Sequence, residues 1–133
     1  MGIGRITVYE KNGRIAVRDC DAETARQISE YLAGRRREFD LALTPAGTPF
    51  QMDVWRALLK IPFGKTCSYK DIAVAVGRPK AVRAVGNAVG KNPIPIIIPC
   101  HRVIASDDGI GGFSLGLPLK RKLLKLENCL IFA

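Results

Sequence analysis

Polar and apolar residues alternate in two short stretches near the start of the chain. The first stretch covers residues 3–9 and the second covers residues 14–18, with Asn12-Gly13 between them. Alternation with a period of two is typical of a half-buried strand, and an Asn-Gly pair favours the tight turn of a hairpin. The sequence therefore predicts an antiparallel β-hairpin.

A helical pattern follows the predicted hairpin. Asp21 is placed to cap a helix that runs to about Leu32, because apolar residues recur there every three or four positions. Gly34 is placed to end this helix, and residues 41–47 are interpreted as a linker, marked by Pro45, Gly47 and Pro49. We therefore predict a short N-terminal α/β domain over residues 1–47.

The second part of the chain carries four further helical patterns. Three of them begin with a proline, a residue that suits the first turn of a helix, and Thr48 is placed to cap the first of these. The remaining helix begins with a capping box from Ser68 to Asp71. The tight turn between the second and third of these helices predicts a helix-turn-helix. The predicted fold class is α/β, with the hairpin and helix followed by a mainly helical C-terminal domain, residues 48–133, that contains a winged-helix-like helix-turn-helix. The four predicted helices cover residues 49–60, 69–76, 79–89 and 118–127.

Composition narrows the class of protein. Hydrophobic residues make up 47% of the 133 residues, and no apolar stretch reaches the roughly 20 residues of a membrane span. Without the apolar stretch of a secretory signal, we expect a cytoplasmic protein. Four cysteines and a single histidine lack the spacing of a metal site, so we expect no metal and free thiols, although two disulfides could also form. The cysteines are Cys20, Cys67, Cys100 and Cys129.

Positive charge is concentrated in the second part of the chain. The net charge is +9, and residues 56–102 contain nine basic residues and one acidic residue. The predicted helix over residues 79–89 carries Lys80, Arg83 and Asn87 on one side and valines on the other. A solvated basic face would give the same pattern, but together the two observations favour a nucleic-acid contact.

The candidate chemistry lies in the run Ile98-Pro99-Cys100-His101-Arg102-Val103, which follows an apolar, proline-rich segment expected to be extended. A histidine, a cation or a helix N-terminus lowers the pKa of a cysteine, and the thiolate is the nucleophile. We expect Cys100 to be such a nucleophile, with His101 as its base. A buried structural cysteine beside a core histidine is the alternative.

Glu127 is the expected third member of this group. It stands at the edge of the apolar stripe of the last predicted helix, where a partly buried carboxylate needs a partner. A nucleophile, a base and a residue that orients the base form a recurrent catalytic arrangement. Because neighbouring helical residues point about 100° apart, we expect a water to bridge His101 and Cys100.

Several further motifs stand in a fixed order around this run. Together they resemble the O6-alkylguanine-DNA alkyltransferase family, and the resemblance covers residues 50–127 nearly continuously. The motifs are Phe50-Gln51, Val54-Trp55, Ile61-Pro62-Phe63-Gly64, Ser68-Tyr69, Ala84-Val85-Gly86-Asn87, Asn92-Pro93, Gly111-Gly112-Phe113-Ser114 and Leu123-Leu124-Lys125-Leu126-Glu127.

The resemblance implies a DNA repair protein that acts once. Such a protein binds duplex DNA in the minor groove through its helix-turn-helix and flips an O6-alkylguanine into a pocket. The alkyl group then moves irreversibly to Cys100 without a cofactor. We expect a monomer whose partner is double-stranded DNA carrying O6-alkylguanine, with no membrane contact.

The resemblance also assigns roles by position. The loop over residues 110–115 would wall the pocket, and His101 with Glu127 would activate Cys100 through water. Arg83 would fill the gap in the base stack, and Tyr69 would press on the target phosphate. Asn92 would brace the turn before the cysteine. Ser114 and backbone groups of Cys100 and Val103 would hydrogen-bond the guanine.

One position departs from the family. Phe113 stands where the family has a tyrosine, whose hydroxyl assists the departing guanine. Tyr69, Ser114 or a water substitutes for it, or the rate and the substrate range differ.

Two other classes of function are weighed against this one. A non-catalytic relative would recognise alkylated guanine and flag it, but such relatives lack the acceptor thiol that Cys100 supplies. A helix-turn-helix regulator that senses alkylation or oxidation would need a dimerisation element or an effector domain, and the sequence offers neither.

Overall fold

The computed structural model describes residues 2–105 and 111–128. Within them the fold is α/β, with two small sheets and five α-helices. The predicted pocket-loop residue Ile110 and Cys129 lie outside the described residues. In chain order the elements are β1 (Thr7–Lys11), β2 (Arg14–Arg18), α1 (Ala22–Leu32), α2 (Pro49–Leu58), β3 (Cys67–Ser68), α3 (Tyr69–Ala75), α4 (Val82–Gly90), β4 (Val103–Ile104) and α5 (Leu117–Leu126).

The predicted hairpin is confirmed, with a shorter first strand. β1 and β2 pair antiparallel, and the turn residues Asn12 and Gly13 both have positive φ, 53° and 76°. The strand begins at Thr7 because the residues before it pair elsewhere. Ile3 forms an isolated parallel bridge with Leu43, in the segment predicted to be a linker.

The predicted helix caps are also present. The Asp21 side chain accepts a hydrogen bond from the Thr24 amide at 2.8 Å at the start of α1. Thr48 opens α2 with a capping box, and Ser68 opens α3 in the same way. Since a cap depends on residues three apart, these boundaries can be predicted from local sequence.

The start of the next helix was predicted wrongly. α4 begins at Val82 rather than at Pro79, because the Ala81 amide donates to the Arg78 carbonyl at 2.9 Å and closes a turn. Lys80 lies in this turn and is not part of the polar face of α4.

The segment before Cys100 is buried, as predicted, but it is folded and not extended. The Ile98 amide donates to the Ile94 carbonyl at 2.9 Å, and Ile96 has a φ of +74°. The Asn92 side chain fixes this turn, since its oxygen accepts from the Ile94 amide and its nitrogen donates to the Ile98 carbonyl. A single 3₁₀ turn, Cys100–Arg102, and β4 follow this segment.

One hydrophobic core connects the N-terminal and C-terminal segments. It includes Ile6 and Ile28 from the first segment and Leu58 and Leu123 from the second. Trp55 also joins α2 to α4, because its indole nitrogen donates to the Ala88 carbonyl at 2.9 Å. The division into domains at residues 47 and 48 stays a prediction.

Candidate functional site

The carboxylate of Glu127 is the centre of a buried polar cluster. The side chain follows α5 and is 1% exposed. It accepts a hydrogen bond from the Tyr31 hydroxyl, lies 2.8 Å from His101 Nε2, and forms a two-point ion pair with Arg102 at 2.7 and 2.9 Å. The predicted pairing of Glu127 with His101 is therefore present.

This cluster fixes the protonation states of its members. Burial alone would raise the pKa of Glu127, but hydrogen bonds from His101 and Arg102 outweigh it and bring the pKa to about 2. Burial lowers the pKa of His101, although Glu127 opposes that shift. A neutral imidazole has one N–H, and an ionised carboxylate only accepts, so the proton is on Nε2. Nδ1 is then an unprotonated acceptor, with no partner among the described residues.

Cys100 is buried beside this cluster, and its pKa differs from the prediction. The residue is 4% exposed. Burial raises the pKa of its thiol to about 11, although the Asn92 side chain, the backbone amides of Cys100 and Ile96, and Lys120 all favour the thiolate. The expectation of a lowered thiol pKa is wrong for the resting protein, because desolvation exceeds these contributions.

Lys120 is a buried cation that the sequence analysis missed. It is fully buried, and its ammonium donates to the Val103 carbonyl at 2.6 Å and to the Gly112 carbonyl at 2.9 Å. The ammonium also lies 6.0 and 5.9 Å from the ring centres of Tyr69 and Phe113. Burial lowers the pKa of Lys120 to about 8, while Cys100 opposes the shift. Lys120 therefore links the walls of the site to the thiol.

A signal for Lys120 is visible in the sequence. The residue precedes Leu123 by three positions and Leu124 by four, and all three are buried in α5. A lysine within an apolar stripe at this spacing indicates a buried charge. The sequence gives no comparable signal for the two other residues that bind Glu127. Tyr31 lies 96 residues from Glu127 along the chain, and Arg102 lies 25 residues from it.

A cavity of about 390 Å³ opens between α4 and residues 111–114. Tyr69, Phe113 and Ser114 contribute to its walls on one side and Asn87 on the other. The Tyr69 hydroxyl donates to the Gly112 carbonyl at 3.2 Å, and the pKa of Tyr69 is raised by burial and by Cys100. A protonated phenol is therefore held close to the cysteine.

The remaining predicted residues occupy different places around this cavity. Arg83 and Asn87 are exposed on α4, whereas Lys80 lies in the turn that precedes it. Asn92 supports the turn before Cys100. The Val103 carbonyl accepts a hydrogen bond from Lys120.

Three further observations concern cofactors and membranes. Within residues 2–105 and 111–128, no cluster of three or more His, Cys, Asp or Glu side chains could hold a metal ion. None of the described helices is long and apolar enough to cross a membrane. Cys20, Cys67 and Cys100 are free thiols.

Comparison with known proteins links this site to a family. Residues 49–129 match the family described as 6-O-methylguanine DNA methyltransferase, DNA binding domain. The chain is 56% identical over 106 residues to a methylated-DNA–protein-cysteine methyltransferase of Methanosarcina barkeri, covering 80% of this chain and 67% of the relative. It is 54% identical over 108 residues to the constitutive methylated-DNA–protein-cysteine methyltransferase of Bacillus subtilis, covering 80% and 66%.

Solved structures give the same result. The fold is similar to that of Mycobacterium tuberculosis OGT in complex with DNA, with a TM-score of 0.79 and 49% identity over 81% of this chain and 67% of the other. The chain thus spans about two thirds of the length of these relatives. Since the family match covers more than half of the chain, and the relatives from M. barkeri and B. subtilis exceed 50% identity, the chain belongs to the 6-O-methylguanine DNA methyltransferase family.

Proposed function

We propose that this protein repairs DNA by transferring an alkyl group from the O6 atom of guanine to the sulfur of Cys100. One observation carries the proposal: the buried Cys100 directly precedes His101, which pairs with Glu127, and it interacts electrostatically with Tyr69, a wall residue of the cavity beside α4. In the reaction the bond from the alkyl carbon to O6 breaks and a carbon–sulfur bond forms. The product is a stable thioether, so each molecule acts once.

The proton of the thiol has a defined route in this proposal. At rest the high pKa keeps Cys100 protonated, and the free Nδ1 of His101 can accept a proton through a bridging water. Glu127 stabilises the resulting imidazolium, as the orienting carboxylate does in other activated nucleophiles. The departing guanine anion takes up one proton, so the overall proton count is unchanged.

DNA binding is assigned to α3, the turn after it and α4, acting as a winged helix-turn-helix. Lys80 in the turn and Arg83 and Asn87 on α4 are exposed, and exposed cations suit phosphates. Arg83 would enter the minor groove and occupy the gap left by the flipped base. Double-stranded DNA with O6-alkylguanine is the partner, and the monomeric state and cytoplasmic location stay predictions.

The walls of the cavity would then hold the guanine. In this proposal Tyr69 presses on the target phosphate, and Ser114 and the Val103 carbonyl hydrogen-bond the base. Phe113 supplies an aromatic wall without a hydroxyl. Tyr69, whose pKa is raised by burial and by Cys100, is a wall residue with a phenol that could instead assist the leaving group.

Mass spectrometry tests the proposal directly. The protein is incubated with duplex DNA that carries O6-methylguanine and is then digested. We expect a one-to-one gain of one methyl group on the peptide that contains Cys100, and no gain in Cys100→Ala. Cys20→Ala is the matched control, because Cys20 is a free thiol that follows the N-terminal hairpin and its loss should leave methylation unchanged. Tight binding of the lesion with an unmodified Cys100 peptide would refute the proposal.

A further inference from the structure

A second cavity adjoins the proposed guanine pocket. It has a volume of about 370 Å³ and lies between the residues around the start of β1 and the end of α4. The two cavities share Gly90, Lys91 and Ser114 as wall residues. A ligand in the second cavity would therefore lie directly beside the target nucleotide.

The polar face of α4 leads into this second cavity. Arg83, Asn87 and Lys91 are spaced four residues apart, and Lys91 is the C-terminal cap of the helix. Side chains at this spacing share one face of a helix, and all three of these residues are exposed. The polar face that was predicted to begin at Lys80 therefore begins at Arg83 and ends at Lys91.

Arg5 brings a second cation to the same cavity. The Ile6 amide donates to the Pro93 carbonyl at 3.1 Å and thereby holds the N-terminal segment against the end of α4. Arg5 is exposed and lines the cavity together with Lys91. No acidic side chain lines this cavity, and within residues 2–105 and 111–128 neither cation forms an ion pair.

Two cations without an ion pair favour binding of an anion in the second cavity. A DNA strand whose nucleotide enters the first cavity must place the phosphates on either side of that nucleotide nearby. We infer that Arg5 and Lys91 bind a backbone phosphate next to the flipped nucleotide. The N-terminal segment thereby takes part in DNA binding. This inference rests on the proposed function, because it takes the first cavity to be the guanine pocket.

Salt dependence of DNA binding gives the first test. Each phosphate contact contributes about 0.9 to the slope of log K against log salt concentration. Binding of an unmodified duplex is measured by fluorescence anisotropy between about 50 and 200 mM salt. We expect Arg5→Ala/Lys91→Ala to reduce the slope by about 1, as for the loss of one phosphate contact. The matched control, Lys11→Ala/Arg14→Ala, removes the same charge from the hairpin and should change it by less than about half a unit.

Neutral phosphates provide the second test. Single methylphosphonates are placed around O6-methylguanine, and the proteins carry Cys100→Ala so that the lesion is bound without being repaired. At one position, a neutral phosphate should weaken binding several-fold in the protein that retains Arg5 and Lys91. The same neutral phosphate should have no effect in the protein that also carries Arg5→Ala/Lys91→Ala. The melting temperature of each variant verifies that it is folded.

The outcomes separate this inference from the proposed function. The phosphate contact would be overturned if Arg5→Ala/Lys91→Ala changed the salt slope no more than the control pair does. It would also be overturned if methylphosphonates at every position weakened binding equally with and without Arg5→Ala/Lys91→Ala. If the unsubstituted protein still methylates Cys100, the proposed function stands. If the Arg5 and Lys91 effects are found but Cys100 stays unmodified, the function is refuted and the phosphate contact remains.

Discussion

Two basic side chains are buried on either side of the site, and their partners differ. Arg102 faces the ionised Glu127 and donates twice to it, with a third hydrogen bond of 2.7 Å to the Ile61 carbonyl. Among residues 2–105 and 111–128, Lys120 faces backbone carbonyls, two aromatic rings and the neutral thiol of Cys100. Arg102 thus has a carboxylate partner in the resting protein, whereas Lys120 has none within the described part of the chain.

This difference separates stability from reactivity. The cluster around Glu127 resembles a buried ion pair, in which the loss of one partner leaves an unpaired charge. Lys120 instead gains an anionic partner only when Cys100 loses its proton, so it stabilises the reactive form more than the resting form. We therefore expect changes at the first cation to affect folding and changes at the second to affect the reaction.

Glu127→Gln should give the largest effect. The substitution preserves the shape of the side chain but leaves the Arg102 guanidinium buried without a counter-charge. We expect the free energy of unfolding to fall by about 3–5 kcal/mol, measured by urea denaturation.

Two variants keep this prediction open to contradiction. Glu30→Gln makes the same change in a more exposed ion pair with Arg26 and Arg36, and should lower the free energy of unfolding much less than Glu127→Gln does. Tyr31→Phe removes one hydrogen bond to Glu127 and should cost about 1.5–3 kcal/mol, the range for bonds to charged groups. Similar losses in Glu127→Gln and Glu30→Gln would show that the buried cluster has no special importance.

The pH dependence of stability should show a somewhat smaller effect. The pKa of Glu127 is about 2 in the folded protein and about 4.5 when unperturbed, so its contribution is complete above about 4.5 and is lost as the pH falls towards 2. The difference corresponds to about 3 kcal/mol. Burial also lowers the pKa of His101, so this histidine adds a second acid-sensitive contribution to stability. The total loss of stability should therefore begin once the pH falls below 6.5, the ordinary pKa of histidine.

Urea denaturation between pH 7 and 3 measures this loss. The contribution of the cluster is the difference between the pH profiles of the unsubstituted protein and Glu127→Gln. Parallel profiles would contradict the assignment of the acid sensitivity to Glu127.

Local sequence predicted those parts of the fold that depend on nearby residues. The Asn12-Gly13 turn and the caps at Asp21, Thr48 and Ser68 act within three or four positions, and all are present. The start of α4 was misplaced because proline at position 79 suits both the first turn of a helix and the tight turn that forms there. Pairing of Ile3 with Leu43 depends on tertiary contacts and could not be read from the alternation.

The site shows the same limit. The position of Glu127 on the stripe of α5 predicted a buried carboxylate with His101 as its partner, and the structure contains that pair. The pKa of Cys100 was mispredicted because the sequence places cations near the thiol without giving its degree of burial, and burial dominates. The contribution of Tyr31 from α1 needed the packing of the N-terminal segment against α5.

Lys120→Met should change the reaction more than the stability. Methionine keeps the length and removes a buried charge, which offsets the loss of the donor to the Val103 and Gly112 carbonyls, so we expect the free energy of unfolding to change by less than about 1.5 kcal/mol. Loss of the cation next to the thiolate should slow single-turnover methyl transfer at pH 7 about tenfold, equivalent to about one pKa unit at Cys100. Lys122→Met is the matched control, since Lys122 is exposed and pairs with Glu10, and it should leave the rate unchanged.

The pH dependence of the rate tests the role of the charge. Because the pKa of Lys120 is about 8, the ammonium of the unsubstituted protein loses its charge as the pH rises through that value. The rates of the unsubstituted protein and of Lys120→Met should therefore converge above about pH 9. A rate ratio that stays constant from pH 6 to 10 would mean that Lys120 acts through the shape of the pocket and not through its charge.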